Sequence, residues 1–329
     1  IAAACLAGFT FAQDAPLWMR HSVISPDGTT IAFTYKGDIY TVPVAGGRAM
    51  QITTNPAYDT APVWSPDSKR IAFASDRMGS LDVYIVAKDG GEPRRLTTHS
   101  GSETPLAFTD AGHVLFSAGI MPSAEAVVFP SNGQFNQVYR VSVEGGRPTM
   151  ISSMPMECIS INKEGAMLYQ DKKGYEDYWR KHHVSPIARD IWMYTPGKEP
   201  QYRQLTTFGG EDREPVWAPD GKTFYYLSEE NGSFNIYRRT PGDAKAVQLT
   251  HYTKNPVRYL SAATDGRLCY GFDGEIYTLL PGGEAQKVNI SIVSDRNDKD
   301  IIRQIKSSGA TEMAVSVSYT HLTLPTIYS

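Results

Sequence analysis

Cysteine, net charge and long apolar runs are all scarce in this sequence, and each shortage excludes a class of protein. Three cysteines in 329 residues are too few for a disulfide scaffold. A formal net charge of −3 provides no general basic surface, so we predict no nucleic acid partner. No apolar run reaches the about 20 residues of a transmembrane helix. The composition, 41% hydrophobic and 20% charged, is that of a globular protein with a large core.

Catalytic and metal-binding motifs are also missing. The sequence has no Gly-x-Ser-x-Gly, no His-Glu-x-x-His, no Cys-x-x-Cys and no glycine loop of the phosphate-binding kind. His21, His99, His113 and His251 are far apart in the chain, and we interpret them as structural or solvent-exposed. We therefore predict no catalytic residue, no metal site and no cofactor in this chain.

What the sequence does contain is one unit that recurs six times. The unit is clearest in residues 63–97, where Ser-Pro-Asp-Ser separates two apolar segments and Gly90-Gly91 precedes Leu-Thr. Pro suits the second position of a type I turn, and Asp can hydrogen-bond its own backbone there. We therefore interpret Asp27, Asp67 and Asp220 as turn residues. The unit predicts a meander of four strands.

Two signatures mark the six copies. The first is a turn around an acidic residue, at residues 25–28, 65–68, 108–111, 162–165, 218–221 and 263–266. The second is a polar, a β-branched and an aromatic residue in succession, and these runs end at Tyr40, Tyr84, Tyr139, Trp192, Tyr237 and Tyr277. A repeat of about 40 to 45 residues with four strands is typical of propeller blades. We predict an all-β fold, a six-bladed β-propeller of four-stranded antiparallel blades.

The repeats place the predicted propeller at residues 16–290. Residues 1–13 are apolar and carry small residues at Thr10 and Ala12, which is typical of the back half of a secretory signal peptide. The alternative is a buried first strand. Cys158 and Cys269 lie in blades that do not touch, so we predict no disulfide and expect both to be buried small hydrophobic residues.

The pattern changes after the sixth repeat. Residues 291–311 are polar and charged and predict a connector. Residues 312–316 match the lead-in to a repeat, so they predict the start of a second propeller. Residues 317–329 do not continue that repeat, and we interpret them as a non-native read-through tail.

Blades three and four carry long insertions between their second and third strands. Two neighbouring long loops on one rim predict a functional face. The insertion of blade three, residues 119–133, contains Phe129, and that of blade four, residues 172–189, combines aromatic and charged side chains. The candidate peptide contacts are Phe129, Tyr175, Trp179, Arg180, Lys181, His182 and His183. Such residues bind by stacking and by charge-assisted hydrogen bonds. The alternative is that the blade-four insertion folds onto the rim or onto a partner domain.

The sequence resembles the front of a tricorn-type serine peptidase. The resemblance rests on the repeats, on residues 174–177 and 180–183 of the blade-four insertion, and on the connector at 301–316. In that family a second propeller, a PDZ-like module and a catalytic domain follow, so no catalytic residue carries over to this chain. The resemblance implies a propeller that gates the passage of peptides or unfolded polypeptide. It implies the downstream second propeller and protease domains of the same chain as partners, allows a homo-oligomer, and implies a periplasmic or secreted location.

Two other classes stay open. A TolB-like periplasmic propeller binds proteins without catalysis and would carry an α/β domain before the blades. A relative of prolyl oligopeptidase would have a single ring of seven or eight blades and then an α/β-hydrolase domain. Further strands after Glu312 would favour the tricorn-type interpretation over both.

Overall fold

Six four-stranded antiparallel sheets follow one another along the chain and make up its larger unit, Ile1–Ile292. The computed structural model describes residues 16–120, 136–173 and 184–293, and the backbone of 314–315 and 322–323. Within those residues all regular structure is β, and no helix is available that could span a membrane. The predicted all-β, six-bladed β-propeller is confirmed.

The strands of each blade pair in chain order from the first to the fourth. Blade one consists of Arg20–Ile24, Thr30–Tyr35, Asp38–Pro43 and Met50–Gln51. Blade two consists of Asp59–Trp64, Arg70–Ser75, Asp82–Ala87 and Arg94–Arg95. Blade three consists of Glu103–Asp110, His113–Ala118, Gln137–Ser142 and Thr149–Ser152. Blade four consists of Met156–Ile161, Met167–Asp171, Ile191–Thr195 and Gln201–Gln204. Blade five consists of Asp212–Trp217, Phe224–Ser228, Asn235–Arg239 and Val247–Gln248. Blade six consists of Arg258–Ala262, Leu268–Phe272, Glu275–Leu279 and Gln286–Lys287.

In the part of the chain that the structure describes, four short strands lie outside the blades. Gly47–Arg48 pairs in parallel with Ile290–Ser291, which follows the last strand of blade six. In the second unit, Val293–Ser329, Ala314–Val315 pairs antiparallel with Leu322–Thr323. The rest of the predicted connector, second-propeller start and read-through tail lies outside the described residues, so these assignments stay predictions.

The acidic turn residues act as predicted. The Asp67 carboxylate accepts hydrogen bonds from the Ser65 hydroxyl at 2.5 Å and the Lys69 amide at 3.2 Å. Asp27 accepts the corresponding two bonds in blade one, and Asp220 accepts two backbone amides in blade five. These carboxylates stabilise the turns between first and second strands, which is a structural role.

The aromatic residue of the third-strand signature forms a cross-strand pair. In every blade it lies opposite an aromatic residue of the second strand. The pairs are Phe33 and Tyr40, Phe73 and Tyr84, Phe116 and Tyr139, Tyr169 and Trp192, Tyr226 and Tyr237, and Tyr270 and Tyr277. Ring centroids lie 5.9 Å apart for Phe73 and Tyr84, within the range in which aromatic rings attract. Each sheet therefore has an aromatic pair at its middle.

The first strands lie innermost. Each contacts the first strand of the next blade, and that of blade six contacts that of blade one, so the ring is closed. Every first strand has a β-bulge, and in five blades the bulge contains a non-glycine residue with positive φ: His21, Ala61, Cys158, Glu214 and Tyr259. The bulges re-aim side chains along the inner wall of the ring.

The two cysteines of the ring differ. Both are unpaired, and Cys269 is buried as predicted. The prediction for Cys158 is wrong, because this residue is exposed. Its bulge interrupts the alternation of inward and outward side chains, so position along the strand does not place the thiol on a buried face.

Candidate functional site

The predicted peptide contacts lie in the two insertions. Phe129 falls within residues 121–135, and Tyr175, Trp179, Arg180, Lys181, His182 and His183 fall within residues 174–183. Both segments lie outside the described residues, so these seven contacts stay predictions. The residues on either side of the blade-four insertion are described, and they define its anchor.

The two ends of the blade-four insertion are joined by an ion pair. Lys173 Nζ lies 2.6 Å from Asp190 Oδ2 and donates to the Ala188 carbonyl at 2.8 Å. Burial lowers the pKa of Lys173, but the hydrogen bond to Asp190 and the nearby Asp171 carboxylate outweigh it and raise the pKa above its usual value. Lys173 is therefore a charged clamp at the base of the insertion.

From this clamp a charged cluster extends into the ring. We call the ion-pair cluster the set Glu157, Lys172, Arg189, Glu211 and Arg213. Arg189 Nε lies 3.2 Å from Glu157 Oε2, and Arg189 Nη1 lies 3.5 Å from Glu211 Oε1. Arg213 Nε lies 2.5 Å from Glu211 Oε2, and Lys172 Nζ lies 3.4 Å from Glu157 Oε1. The cluster links the insertion of blade four to the inner strand of blade five.

The cluster is buried for the most part. Glu211 is 1% exposed and Arg213 is 2% exposed, so their charges depend on one another for compensation. Burial would raise the pKa of Glu157, but Arg189 and Lys172 outweigh burial and lower it, so this carboxylate is ionised near neutral pH. The cluster therefore presents fixed charges of both signs beside the inner wall.

Glu157 and Arg213 each lie just before the β-bulge of the first strand of their blade. Cys158 lies beside Glu157. Its side chain is exposed, but protein atoms surround the sulfur closely and limit its hydration. Burial of this kind, together with the Glu214 and Glu157 carboxylates, raises the pKa of the thiol well above its usual value. A neutral thiol is a poor nucleophile, so Cys158 has no catalytic environment.

One imidazole and hydroxyl pair lies on the same inner wall. His21 Nδ1 is 3.1 Å from the Thr60 hydroxyl, and the His21 ring lies 4.9 Å from that of Tyr259. Burial, and secondarily the Arg20 charge, lowers the pKa of His21 to about 4, so the ring is neutral at pH 7. His21 thus joins blades one, two and six, which agrees with the predicted structural role. No group of three or more metal-ligating side chains occurs among the described residues.

Sequence reasoning missed the ion-pair cluster. The sequence does carry a signal for it, a run of four charged residues, Glu-Asp-Arg-Glu at 211–214, at the start of an inner strand. The other repeats have at most two charged residues at that place. The partners Arg189 and Glu157 come from other elements, and no spacing rule connects them to residues 211–214.

Comparisons with known proteins agree on one family. Residues 16–285 match the model of the tricorn protease N-terminal beta propeller domain. The chain is 26% identical over 289 residues to tricorn protease homolog 1 of Streptomyces coelicolor, which covers 86% of this chain and 26% of that protein. It therefore spans about a quarter of the length of this curated relative.

Solved structures show the same fold. The crystal structure of the tricorn protease matches with a TM-score of 0.71 at 19% identity, over 86% of this chain and 27% of that one. TolB from Acinetobacter baumannii matches with a TM-score of 0.60 at 15% identity, over 79% of this chain and 63% of that one. With a family model that covers most of its length, the chain belongs to the family of tricorn protease N-terminal β-propeller domains.

Proposed function

We propose that this propeller gates the passage of peptides or unfolded polypeptide in a tricorn-type serine peptidase, and that domains outside this chain carry out the proteolysis. The observation that carries the proposal is the match of residues 16–285 to the N-terminal propeller of a protease family. The absence of a catalytic motif from the sequence supports a noncatalytic role for this part.

The inner wall suits this role chemically. A ring of six first strands admits an extended chain more readily than a folded domain. Of the ion-pair cluster, Lys172 and Glu157 are partly exposed, with side chains 17% and 29% accessible, and they offer one charge of each sign at the base of the blade-four insertion. A peptide carries an ammonium and a carboxylate at its ends, so such a cluster supports weak and reversible contacts along its path.

The insertions supply the proposed entry contacts. Phe129 and Trp179 would stack on side chains of the peptide, and Arg180 and Lys181 would bind carboxylates. Tyr175, His182 and His183 would add hydrogen bonds. The Lys173 clamp supports this arrangement, because it holds both ends of the blade-four insertion at one place on the rim.

The first experiment uses purified residues 16–293 and fluorescently labelled unfolded casein. We expect weak, saturable binding and no peptidase activity, since the sequence contains no catalytic motif. Trp179→Ala should weaken binding, whereas Tyr202→Ala, an exposed aromatic residue on the outer strand of blade four, should leave it unchanged. Inhibitor-sensitive cleavage by this propeller, or equal effects of the two substitutions, would contradict the proposal.

We also propose that the parent protein is exported to the periplasm or secreted. Residues 1–13 have the apolar character and small residues of a signal peptide's second half. N-terminal sequencing of the protein isolated from fractionated cells checks this. A mature terminus shortly after Ala12 in the exported fraction supports it, and an intact terminus in the cytoplasmic fraction refutes it.

A TolB-like binding propeller is the second candidate, favoured by the fold match to TolB. The parent gene beyond residue 316 separates the two. Further blades followed by PDZ-like and serine peptidase regions support the gating proposal, and a stop codon there supports a binding protein without catalysis.

A further inference from the structure

The chain that leaves blade six returns to blade one. After Gln286–Lys287, the outer strand of blade six, Ile290–Ser291 pairs in parallel with Gly47–Arg48 of blade one. The Gly47 amide donates to the Asn289 carbonyl at 2.8 Å, and the Ala49 amide donates to the Ser291 carbonyl at 2.8 Å. We call residues 288–292 the latch.

The latch has one apolar face and packs it into a core. Val288, Ile290 and Ile292 are 4%, 9% and 9% exposed, while the intervening Asn289 is exposed. The alternation is that of a strand with one buried side. The buried side joins the hydrophobic cluster that contains Met19, Ile24, Phe33, Tyr40, Val42 and Ala49. The latch therefore contacts blade one through both its backbone and its side chains.

Gly46 shows how close this approach is. Its φ is +86°, and a Cβ on it would lie 2.5 Å from the Asn289 carbonyl oxygen. Gly145 has the same place in blade three and φ +83°, but a Cβ there would meet nothing within 4 Å. Both glycines allow the left-handed turn, and only Gly46 also makes room for another backbone.

We propose that residues 46–49 form a binding site for an extended strand with apolar residues at alternate positions, and that the latch is its occupant. The site clamps the seam where blade six meets blade one. Direct bonds also cross that seam, such as the Met19 amide to the Gly274 carbonyl at 3.1 Å and the Thr264 amide to the Pro26 carbonyl at 2.9 Å. The latch adds a second, outer connection to these bonds. This inference goes beyond the proposed gating role and does not depend on it.

Gly46→Ala and Gly145→Ala give a matched test in the full chain. Both substitutions introduce the same backbone strain, but only Gly46→Ala forces Asn289 away. We expect Gly46→Ala to abolish hydrogen-exchange protection of the Gly47 and Ala49 amides, and Gly145→Ala to leave them protected. Equal protection of these amides in the two variants would overturn the proposal.

A crosslink gives a second measurement that does not destabilise the ring. Arg48 and Ser291 are register partners on adjacent strands, a separation that a disulfide can bridge. In a Cys5→Ser, Cys158→Ser background, we expect Arg48→Cys with Ser291→Cys to oxidise within one chain and to raise the melting temperature. Arg147→Cys with Ser291→Cys is the control, since Arg147 holds the corresponding place in blade three. Failure of the first pair to crosslink, or equal crosslinking of both pairs, would refute the latch.

Discussion

Three inner strands begin with a buried acid at the same position. Asp59, Glu103 and Asp212 are each at most 2% exposed. Asp59 is compensated by Arg77 at 2.9 Å. Burial raises the pKa of Glu103 to about 7, helped by the Asp82 carboxylate and opposed by a hydrogen bond from Thr97. Burial likewise raises the pKa of Asp212 to about 7. We therefore expect the Glu103 and Asp212 carboxyl groups to make the stability of the propeller depend on pH.

The Glu103 carboxyl predicts a direction for this sensitivity. The folded protein holds its proton up to about pH 7, whereas the unfolded chain releases it near the usual value of 4.5. Protonated Glu103 therefore contributes to the free energy of unfolding in full below pH 4.5. This contribution, about 3 kcal/mol at 1.36 kcal/mol for each pKa unit, is lost as the pH rises through 7. Urea unfolding at pH 5 and pH 8 should show Glu103→Gln gaining stability over the unsubstituted protein at pH 8 only.

The control is Glu164→Gln, at an exposed turn glutamate. It should follow the unsubstituted protein at both pH values. A Glu103→Gln protein with the same pH dependence as the unsubstituted chain would show that this carboxyl is ionised in the fold.

In four of the six blades, a threonine just after the fourth strand fastens that strand to the third. In blade one the Thr53 hydroxyl accepts the Ile39 amide at 3.0 Å. Thr97, Thr206 and Thr250 do the same for the third strands of blades two, four and five. The acceptor is buried, so a fourth strand as short as two residues is held by a side chain as well as by its backbone.

Thr53→Val tests this fastening. Valine has a similar shape but cannot accept the Ile39 amide, which then stays buried without its partner. We expect a loss of about 1 to 3 kcal/mol in the free energy of unfolding. Thr54→Val, at the exposed neighbouring residue, should change it by less than about 0.5 kcal/mol. Chemical denaturation measures both, and similar values would contradict a role for the hydroxyl.

At the scale of the whole molecule, we expect the closed ring to restrict the access of large reagents to side chains on its inner strands. Cys158 lies on an innermost strand and is exposed, whereas Cys269 is buried. The pKa of the Cys158 thiol is raised well above its usual value, so its labelling should be slow at neutral pH and faster as the pH rises.

This access predicts a dependence on the size of the reagent. In a Cys5→Ser protein we expect a small maleimide to label one thiol of the native ring, and a bulky polyethylene glycol maleimide to label none until the protein is unfolded. Cys158→Ser should abolish the native labelling. Rapid reaction of Cys158 with the bulky reagent, measured by mass spectrometry, would show that it faces open solvent.

Local signals predicted the blades, because the Asp67 turn and the Phe73 and Tyr84 pair are formed by residues close in sequence. The same signals could not predict Cys158, since a bulge changes the direction of a side chain without altering the apolar pattern. The ion-pair cluster joins Glu157, Arg189 and Glu211 from different elements, so its geometry depends on how blades four and five meet. The peptide contacts of the insertions stay predictions of the sequence.

The latch also sets an order of events during folding. Each blade is a meander whose strands are neighbours in the chain, so its contacts form with short loop closures. The contact of Ser291 with Gly47 spans 244 residues, and it cannot form until every blade between them has been synthesised. Blade one therefore has no neighbour on its blade-six side while blades two to six emerge, and the latch is the last connection to form across that seam.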